Sequence, residues 1–297
     1  STTSNGTHGG GSEYTTGVTT TGTPGSAGAK TVITVAASAP TLYYYCTQHS
    51  GMGGQANTNS TFGSSNFAGS IQSKVSANPT AGFSIITYTG NGTAGATIGH
   101  GLGQAPDMTI IKRRSASETW ITWHTAFNSA QSNVRLEGSG AVDTASPSMF
   151  NNTFPTSTLI TLGNGNFVNT NTETYVCYAF KSIEGYSKFS SYTGNGSTDG
   201  TFVYTGFRPA FVLVRSTGSG NWLMQDNKRL GYNSSNSELF ANLTNAETTS
   251  DRADLLSNGF KAKQNSSENN SSGQEYIYMA FAENPFVTST GKPVTAR

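Results

Sequence analysis

The chain has 297 residues, which is room for two or three domains, and its 17 basic and 16 acidic side chains give a net charge of +1. A nearly neutral chain without a cluster of lysines and arginines does not favour nucleic acid as a partner. No apolar run approaches the roughly 20 residues that cross a bilayer, so membrane insertion is not expected either.

The composition predicts an all-β protein with long polar loops. Charged residues make up 11% and hydrophobic residues 34%, while Gly alone contributes 35 residues. Ser, Thr and Asn fill much of the remainder, and they disfavour helices because they compete for backbone hydrogen bonds or are stiff at the first side-chain torsion. Thr, Tyr, Phe and Val suit strands, whereas Gly, Asn and Ser suit the turns between them.

The first candidate site is "LYYYCTQHSGMGG" at residues 42–54, where a strand-like run ends in Cys46, His49 and Met52. A thiolate, an imidazole and a thioether are three of the ligands of a blue-copper site, which also needs a second imidazole. The glycines around Met52 allow a loop sharp enough to turn the three side chains toward one ion. His8 is the upstream candidate for the missing imidazole. The same residues also suit a loop scaffold that holds no metal.

This loop resembles the ligand loop of the cupredoxins, especially the short-loop amicyanin type. The resemblance implies copper as the ion that Cys46, His49 and Met52 would hold. It also implies a cupredoxin-like module over residues 1–54. That module is partial and truncated at its N-terminus, since an ordinary Greek-key sandwich is about twice as long.

Two polar segments flank the rest of the chain. Residues 55–82 are rich in Gly, Ser and Asn, which predicts a linker or a loosely packed connector. Residues 287–297 have the same character and predict a C-terminal tail.

An internal repeat organises the chain between these segments. "FSIITYTGNG" begins at Phe83 and "YSKFSSYTGNG" begins at Tyr186. In both copies a Gly-rich approach to a proline follows, and then a strand-like apolar run. The two copies predict tandem β-sandwich domains of jelly-roll or lectin-like type at residues 83–185 and 186–286.

The closing strands of the two copies predict where the cores lie. In "TYVCYAF" and "EYIYMAF", residues 175–180 and 276–281 are apolar or aromatic on both alternating faces. Each is therefore expected in the middle of its sheet and buried on both sides. Cys177 is then a small core side chain and not a nucleophile. Trp120 and Trp222 align between the copies, which favours a core role over stacking on a sugar.

The remaining polar motifs receive structural interpretations. The repeated "YTGNG", at residues 88–92 and 192–196, predicts a tight turn in each copy because Asn-Gly is a strong hairpin signal. His100 and His124 occur only in the first copy, where a surface or hydrogen-bonded role is expected. The sequence offers no carboxylate pair or nucleophile motif that suits catalysis, so no catalytic residue is predicted.

The order of these motifs resembles structural proteins encoded by marine bacteriophages, including those of cyanobacteria and SAR11-type bacteria. The shared motifs are "YTGNG", "HGLGQAPDMTIIKRR", "IEGYSKF" and "GFRPAFVLV", and the similarity covers nearly all of the chain. The resemblance implies a non-enzymatic virion protein, in a tail fibre or spike or as a capsid decoration, that contributes to host attachment. Its implied place is the virion surface. Its implied partners are other virion proteins and copies of itself, as a trimer if it forms a fibre.

Two further functions stay open from the residues. A glycan-binding module would recognise host-surface sugars through its loops or an exposed tryptophan. A redox protein would use copper at Cys46, His49 and Met52. An enzyme is not expected.

Overall fold

The predicted all-β class is confirmed by a computed structural model. The structure describes residues 1, 13–23, 25–35, 41–46, 53–56, 64–229, 233 and 237–285. The chain divides into two units, Ser1–Asn66 and Phe67–Arg297. Among the described residues, no helix is long and apolar enough to span a membrane.

The described residues of the first unit include five short strands. The strands β1 (Val18–Thr21) and β2 (Lys30–Ile33) pair antiparallel, and so do β3 (Leu42–Tyr45) and β4 (Gly53–Ala56). A further strand, β5, spans Ser64–Asn66. Both faces of β2 are exposed, whereas Leu42 is buried. The cupredoxin-like module stays a prediction, since these strands are compatible with many small β-structures.

The first half of the second unit is built on one large antiparallel sheet. Its strands lie in the spatial order β11–β10–β9–β13–β7–β6, and β8 pairs with β12 in a small separate sheet. The single-turn helices α1 (Pro147–Phe150) and α2 (Asn166–Asn169) lie in the connections. The strands are β6 (Ser73–Asn78), β7 (Phe83–Thr89), β8 (Thr97–Gly99), β9 (Met108–Arg113), β10 (Trp120–His124), β11 (Val134–Arg135), β12 (Leu159–Thr161) and β13 (Thr174–Phe180).

The predicted linker at residues 55–82 needs a correction at its C-terminal end. Residues 73–78 form β6, which pairs with β7 so that Val75 lies opposite Ile86. Ile71, Ser73 and Val75 are buried while the residues between them are exposed, which is the alternation of a strand on a core. The Ser, Asn and Gly content of the segment conceals this short alternation.

The second half repeats the arrangement. Its large sheet has the order β14–β22–β16–β17–β18–β19, and a small sheet has the order β15–β21–β20. The strands are β14 (Ser187–Thr193), β15 (Phe202–Tyr204), β16 (Pro209–Ser216), β17 (Leu223–Asp226), β18 (Ser237–Phe240), β19 (Thr248–Thr249), β20 (Ala253–Leu256), β21 (Gly259–Ala262) and β22 (Glu275–Ala282).

The closing strands occupy equivalent central positions. The strand β13 lies between β7 and β9, and β22 lies between β14 and β16, as their two-sided apolar pattern predicts. Cys177 and Tyr278 are equivalent because each lies opposite equivalent residues of both neighbouring strands. These opposite residues are Ile86 and Ile111 for Cys177, and Ser190 and Val214 for Tyr278.

Three apolar cores hold the second unit together. The first lies between the large sheet of the first half and β8–β12, and the second lies between the large sheet of the second half and its small sheet. The third joins residues of both halves, for example Met108 and Ile110 with Leu213 and Met279. Alternate residues of β13 and β22 enter different cores, so each closing strand serves two. The two halves are therefore packed back to back through the outer faces of their large sheets.

We expect Leu213→Ala to destabilise both halves at once. The side chain is 6% exposed in the third core, and removing it should lower the free energy of unfolding by about 2–5 kcal/mol. Urea unfolding followed by circular dichroism should show one transition, displaced as a whole. Leu243→Ala is the control, because Leu243 is 40% exposed and its loss should change little. Two separate transitions, of which only one moves, would contradict a shared core.

Candidate functional site

The predicted copper loop is only partly described. Cys46 directly follows β3 and is partly exposed. His49, Met52 and His8 lie outside the described residues. Within the described part of the chain, no three His, Cys, Asp or Glu side chains are grouped so that they could hold a metal ion. Copper binding at Cys46, His49 and Met52 therefore stays a prediction.

The "YTGNG" motif of the first half is fastened by a buried asparagine. Asn169 is fully buried, and its side-chain oxygen accepts a hydrogen bond from Asn91 N at 2.9 Å. Its amide nitrogen donates to the carbonyl oxygens of Thr93 (2.9 Å) and Gly163 (3.0 Å). The buried amide thus substitutes for the backbone partners that a loop at this position lacks.

The second half repeats this fastening atom for atom. Asn270, which is fully buried, accepts from Asn195 N at 3.0 Å. It donates to the carbonyl oxygens of Ser197 (2.8 Å) and Gln264 (2.9 Å). Neither asparagine stands out along the sequence, because Asn169 lies 78 residues from Asn91 and Asn270 lies 75 residues from Asn195.

The glycines of the motif are required by close backbone approach. A Cβ atom at Gly90 would lie 2.3 Å from the carbonyl oxygen of Thr170, and one at Gly194 would lie 2.4 Å from that of Ser271. The predicted tight turns are wrong as hairpins. The chain leaves β7 for β8 in the other sheet, so each motif is a crossover loop between sheets.

The tyrosine of each motif anchors the same loop from the core. Tyr88 stacks on Tyr175 with ring centroids 5.2 Å apart, and Tyr192 stacks on Tyr276 at 5.3 Å. The Tyr88 hydroxyl donates to Val168 O at 2.7 Å, and the Tyr192 hydroxyl makes the equivalent bond in the second half. Burial raises the pKa of Tyr88 and of Tyr192, which keeps both hydroxyls neutral donors.

The two histidines of the first half are internal hydrogen-bonding groups. His100 accepts from Leu102 N through Nδ1 at 3.2 Å, and its Nε2 lies 3.1 Å from Thr156 O. His124 accepts from Ala126 N through Nδ1 at 3.1 Å and so caps a single 3-10 turn. Desolvation lowers the pKa of both, that of His124 to about 4, so they stay neutral at neutral pH.

Carboxylates that look isolated along the chain are paired with basic side chains in the structure. Each of four acidic residues lies within salt-bridge distance of a Lys or Arg. The pairs are Asp107–Lys181, Glu173–Arg113, Asp199–Lys261 and Asp251–Lys263. Each of these carboxylates lies beside a basic side chain, an arrangement that suits the bracing of neighbouring surface segments.

Hydrogen bonds beside the third core join the two halves at a seam formed by Arg135, Gly140, Arg215 and Trp222. Trp222 is buried, and its indole N–H donates to Arg135 O at 3.0 Å. Arg215, also buried, places its guanidinium 5.9 Å from the Trp222 ring centroid and donates to Gly140 O. Burial lowers the pKa of Arg215 to about 10, partly offset by the charge of Glu268. The core role predicted for Trp222 is confirmed, whereas Trp120 is only half-buried.

A cleft of about 400 Å³ lies beside this seam. It is lined by Asn133, Arg135, Asp143 and Met149, among others. Hydrogen bonds from the Ser146 hydroxyl and from Ala145 N lower the pKa of Asp143 and hold it ionised. The Asp143 carboxylate in the cleft is thus bonded to its own loop. This arrangement suits a structural role in holding that loop and does not suit proton transfer.

We expect the two buried asparagines to contribute equally to stability. Asn169→Ala and Asn270→Ala each leave several buried backbone N–H and C=O groups of the loop without hydrogen-bond partners. Each should therefore lower the free energy of unfolding by about 2–4 kcal/mol. The two losses should add, because the sites are separate. Asn245→Ala, in an exposed loop, is the matched control and should change stability by less than about 0.5 kcal/mol. A large loss from only one of the two buried sites would contradict their equivalence, as measured by urea unfolding.

We expect His124 to make the protein sensitive to acid. The unfolded chain takes up a proton near pH 6.5, whereas folded His124 does so only near pH 4, so stability present above pH 6.5 is lost as the pH falls toward 4. His124→Asn keeps an acceptor for Ala126 N but does not titrate. Between pH 7.5 and pH 4.5, the wild type should lose about 2–3 kcal/mol more than this variant in urea unfolding. Equal losses would show that His124 is not the titrating group.

Comparison with known proteins places the chain in one family. The family model described as a domain of unknown function, DUF7483, matches residues 55–285, more than three quarters of the chain. This single match spans the predicted linker and both halves of the second unit. No curated protein and no solved structure matches the chain. The chain belongs to the DUF7483 family.

Proposed function

We propose that the chain is a non-enzymatic structural protein on the surface of a bacteriophage particle, in a tail fibre or spike or as a capsid decoration. It works by rigidity and by assembly with other virion proteins and with copies of itself, as a trimer in the case of a fibre. Contribution to host attachment follows from that position. The motif resemblance to marine phage structural proteins suggests this role.

The main support for the proposal is that the polar groups of the shared motifs bond to the protein's own interior. The "YTGNG" residues are bonded inward to buried Asn169 and Asn270, and His100 of "HGLGQAPDMTIIKRR" is buried and hydrogen-bonded to its own loop. A motif that supplies catalysis would direct such groups toward a substrate. Here the polar groups brace two sheets that share a core, as a load-carrying particle component requires.

Glycan recognition by tryptophan receives less support than assembly. Trp123 and Trp222 are 3% and 1% exposed, so neither presents a ring face to a sugar. Attachment to a host would then depend on other surfaces of the chain or on its neighbours in the particle.

The proposal predicts that the chain is a component of purified particles. Mass spectrometry of particles purified on a density gradient should detect the chain in many copies, and gold-labelled antibody against it should decorate one structure in electron micrographs. Antibody pre-absorbed with the purified chain is the control. Particles that lack the chain, while the infected cells contain it, would overturn the proposal.

A further inference from the structure

The two halves of the second unit differ at one edge of their large sheets. In the first half, β6 pairs along β7 and forms the next strand of the sheet. In the second half, β14 is equivalent to β7, and it is the terminal strand of its sheet in the part of the chain that the structure describes. The equivalence follows from the shared partners, since β7 pairs with β13 and β14 pairs with β22.

In the first half, residues 69–78 fill a slot one strand wide between β7 and β8. Val75 pairs with Ile86 on one side. On the other side Ile71 N donates to Thr97 O at 3.0 Å, and Ser70 exchanges two 2.9 Å hydrogen bonds with Thr97. This segment reaches the slot from the N-terminal side of the repeat.

Among the described residues, the chain fills only the two ends of the equivalent slot in the second half. The connection from β13 to β14 is residues 181–186, too short to add a strand. Ile183 makes a single bridge to Ser187, and the Ser182 hydroxyl accepts from Phe189 N at 3.0 Å. By alternation, the N–H of Ser191 also points outward along this edge. At the far end, the Thr201 hydroxyl donates to Thr193 O at 2.8 Å. Among the described residues, the stretch from Ser190 to Tyr192, whose outward backbone groups are those of Ser191, therefore lies between the two covered ends.

Two exposed aromatic rings lie on β15, the strand equivalent to β8, which contacts the inserted segment in the first half. The pairing of β15 with β21 makes Phe202 and Tyr204 equivalent to Thr97 and Gly99, the residues that contact the inserted segment in the first half. Phe202 is 46% exposed and Tyr204 is 65% exposed, whereas Gly99 is buried. Large apolar side chains thus stand uncovered where the first half covers small ones, which marks an interaction surface.

The slot also selects the side chains of its occupant. Tyr278 stands where the first half has Cys177, and it is hydrogen-bonded to Ser190, which stands where the first half has Ile86. The bulk that Val75 supplies from the inserted strand in the first half is supplied here by the sheet itself. An incoming strand must therefore carry a small or polar residue opposite Ser190.

We propose that the second half binds an extended segment of another protein chain, which adds as an antiparallel strand to β14 at Ser190–Tyr192 and packs under Phe202 and Tyr204. The segment resembles residues 69–75 of this chain, with a small polar residue in place of Val75. Residues 76 and 77 would lie opposite Phe189 and Lys188, beside the positions that Ser182 and Ile183 already occupy. Strand addition of this kind draws affinity from main-chain hydrogen bonds and specificity from the alternate side chains. The proposal rests on the proposed function only in taking the donor to be a neighbouring protein of the particle.

The test uses the full chain and a fluorescent peptide of residues 69–75 carrying Val75→Ser. Fluorescence anisotropy should show saturable binding. Ser191→Pro removes the outward N–H and should weaken binding about three- to tenfold, whereas Ser191→Thr keeps that N–H and should bind as the wild type does. Tyr204→Ala should also weaken binding, while Phe154→Ala, which removes an exposed ring of the first half, should not.

Three results would overturn the proposal. The first is that the peptide does not bind at millimolar concentration. The second is that it binds the Ser191→Pro and Tyr204→Ala variants as tightly as it binds the wild type. Sedimentation could instead reveal a dimer of the chain that Ser191→Pro abolishes, in which case the occupant is a second copy and not a foreign strand. Circular dichroism verifies that each variant is folded, and the exposed Tyr204 site keeps the test decisive if the proline variant unfolds. Since the assay uses the isolated chain, its outcome is independent of whether the chain is found on particles.

Discussion

The second unit depends on two strands that are each buried on both faces. In β13 and β22, one set of alternate side chains enters the core of its own half and the other set faces the core that the halves share. A strand in this position cannot place a charged residue on either face without losing the stability of one core. This constraint explains why residues 175–180 and 276–281 are all apolar or aromatic, and it couples the two halves into one cooperative body.

Buried polar side chains of the second unit hold its large and small sheets together. Crossover loops leave a large sheet for a small one, and their backbone groups lose the partners that a ladder would supply. Asn169 and Asn270 restore those partners with one buried amide each, and the neighbouring glycines let the chain approach closely enough for the bonds to form. Buried side chains also satisfy backbone groups at the seam, where Arg215 and Trp222 donate hydrogen bonds to carbonyl groups of the first half.

The differences between the halves are as informative as their likeness. Ile86 with Cys177 in one half corresponds to Ser190 with Tyr278 in the other, a paired change that conserves volume and satisfies the added hydroxyl. Among the described residues, the first half has a strand on its outer edge, whereas the second half has exposed rings and an edge strand that is only partly covered. A strand edge that is only partly covered is a surface to which a further strand can add.

Local patterns in the sequence determined the all-β class, the central place of β13 and β22, and the alignment of Trp120 with Trp222, because strand alternation and aromatic burial act over a few residues. The tertiary structure decided what those patterns do not encode. Residues 73–78 became a strand because β7 offered an edge, and "YTGNG" became a crossover because a distant asparagine holds it. The outer faces of the two large sheets form a shared core because they pack against each other in the folded chain. Contacts between residues far apart in the chain leave no periodic trace in either segment alone, which is the physical reason that these three features required the fold.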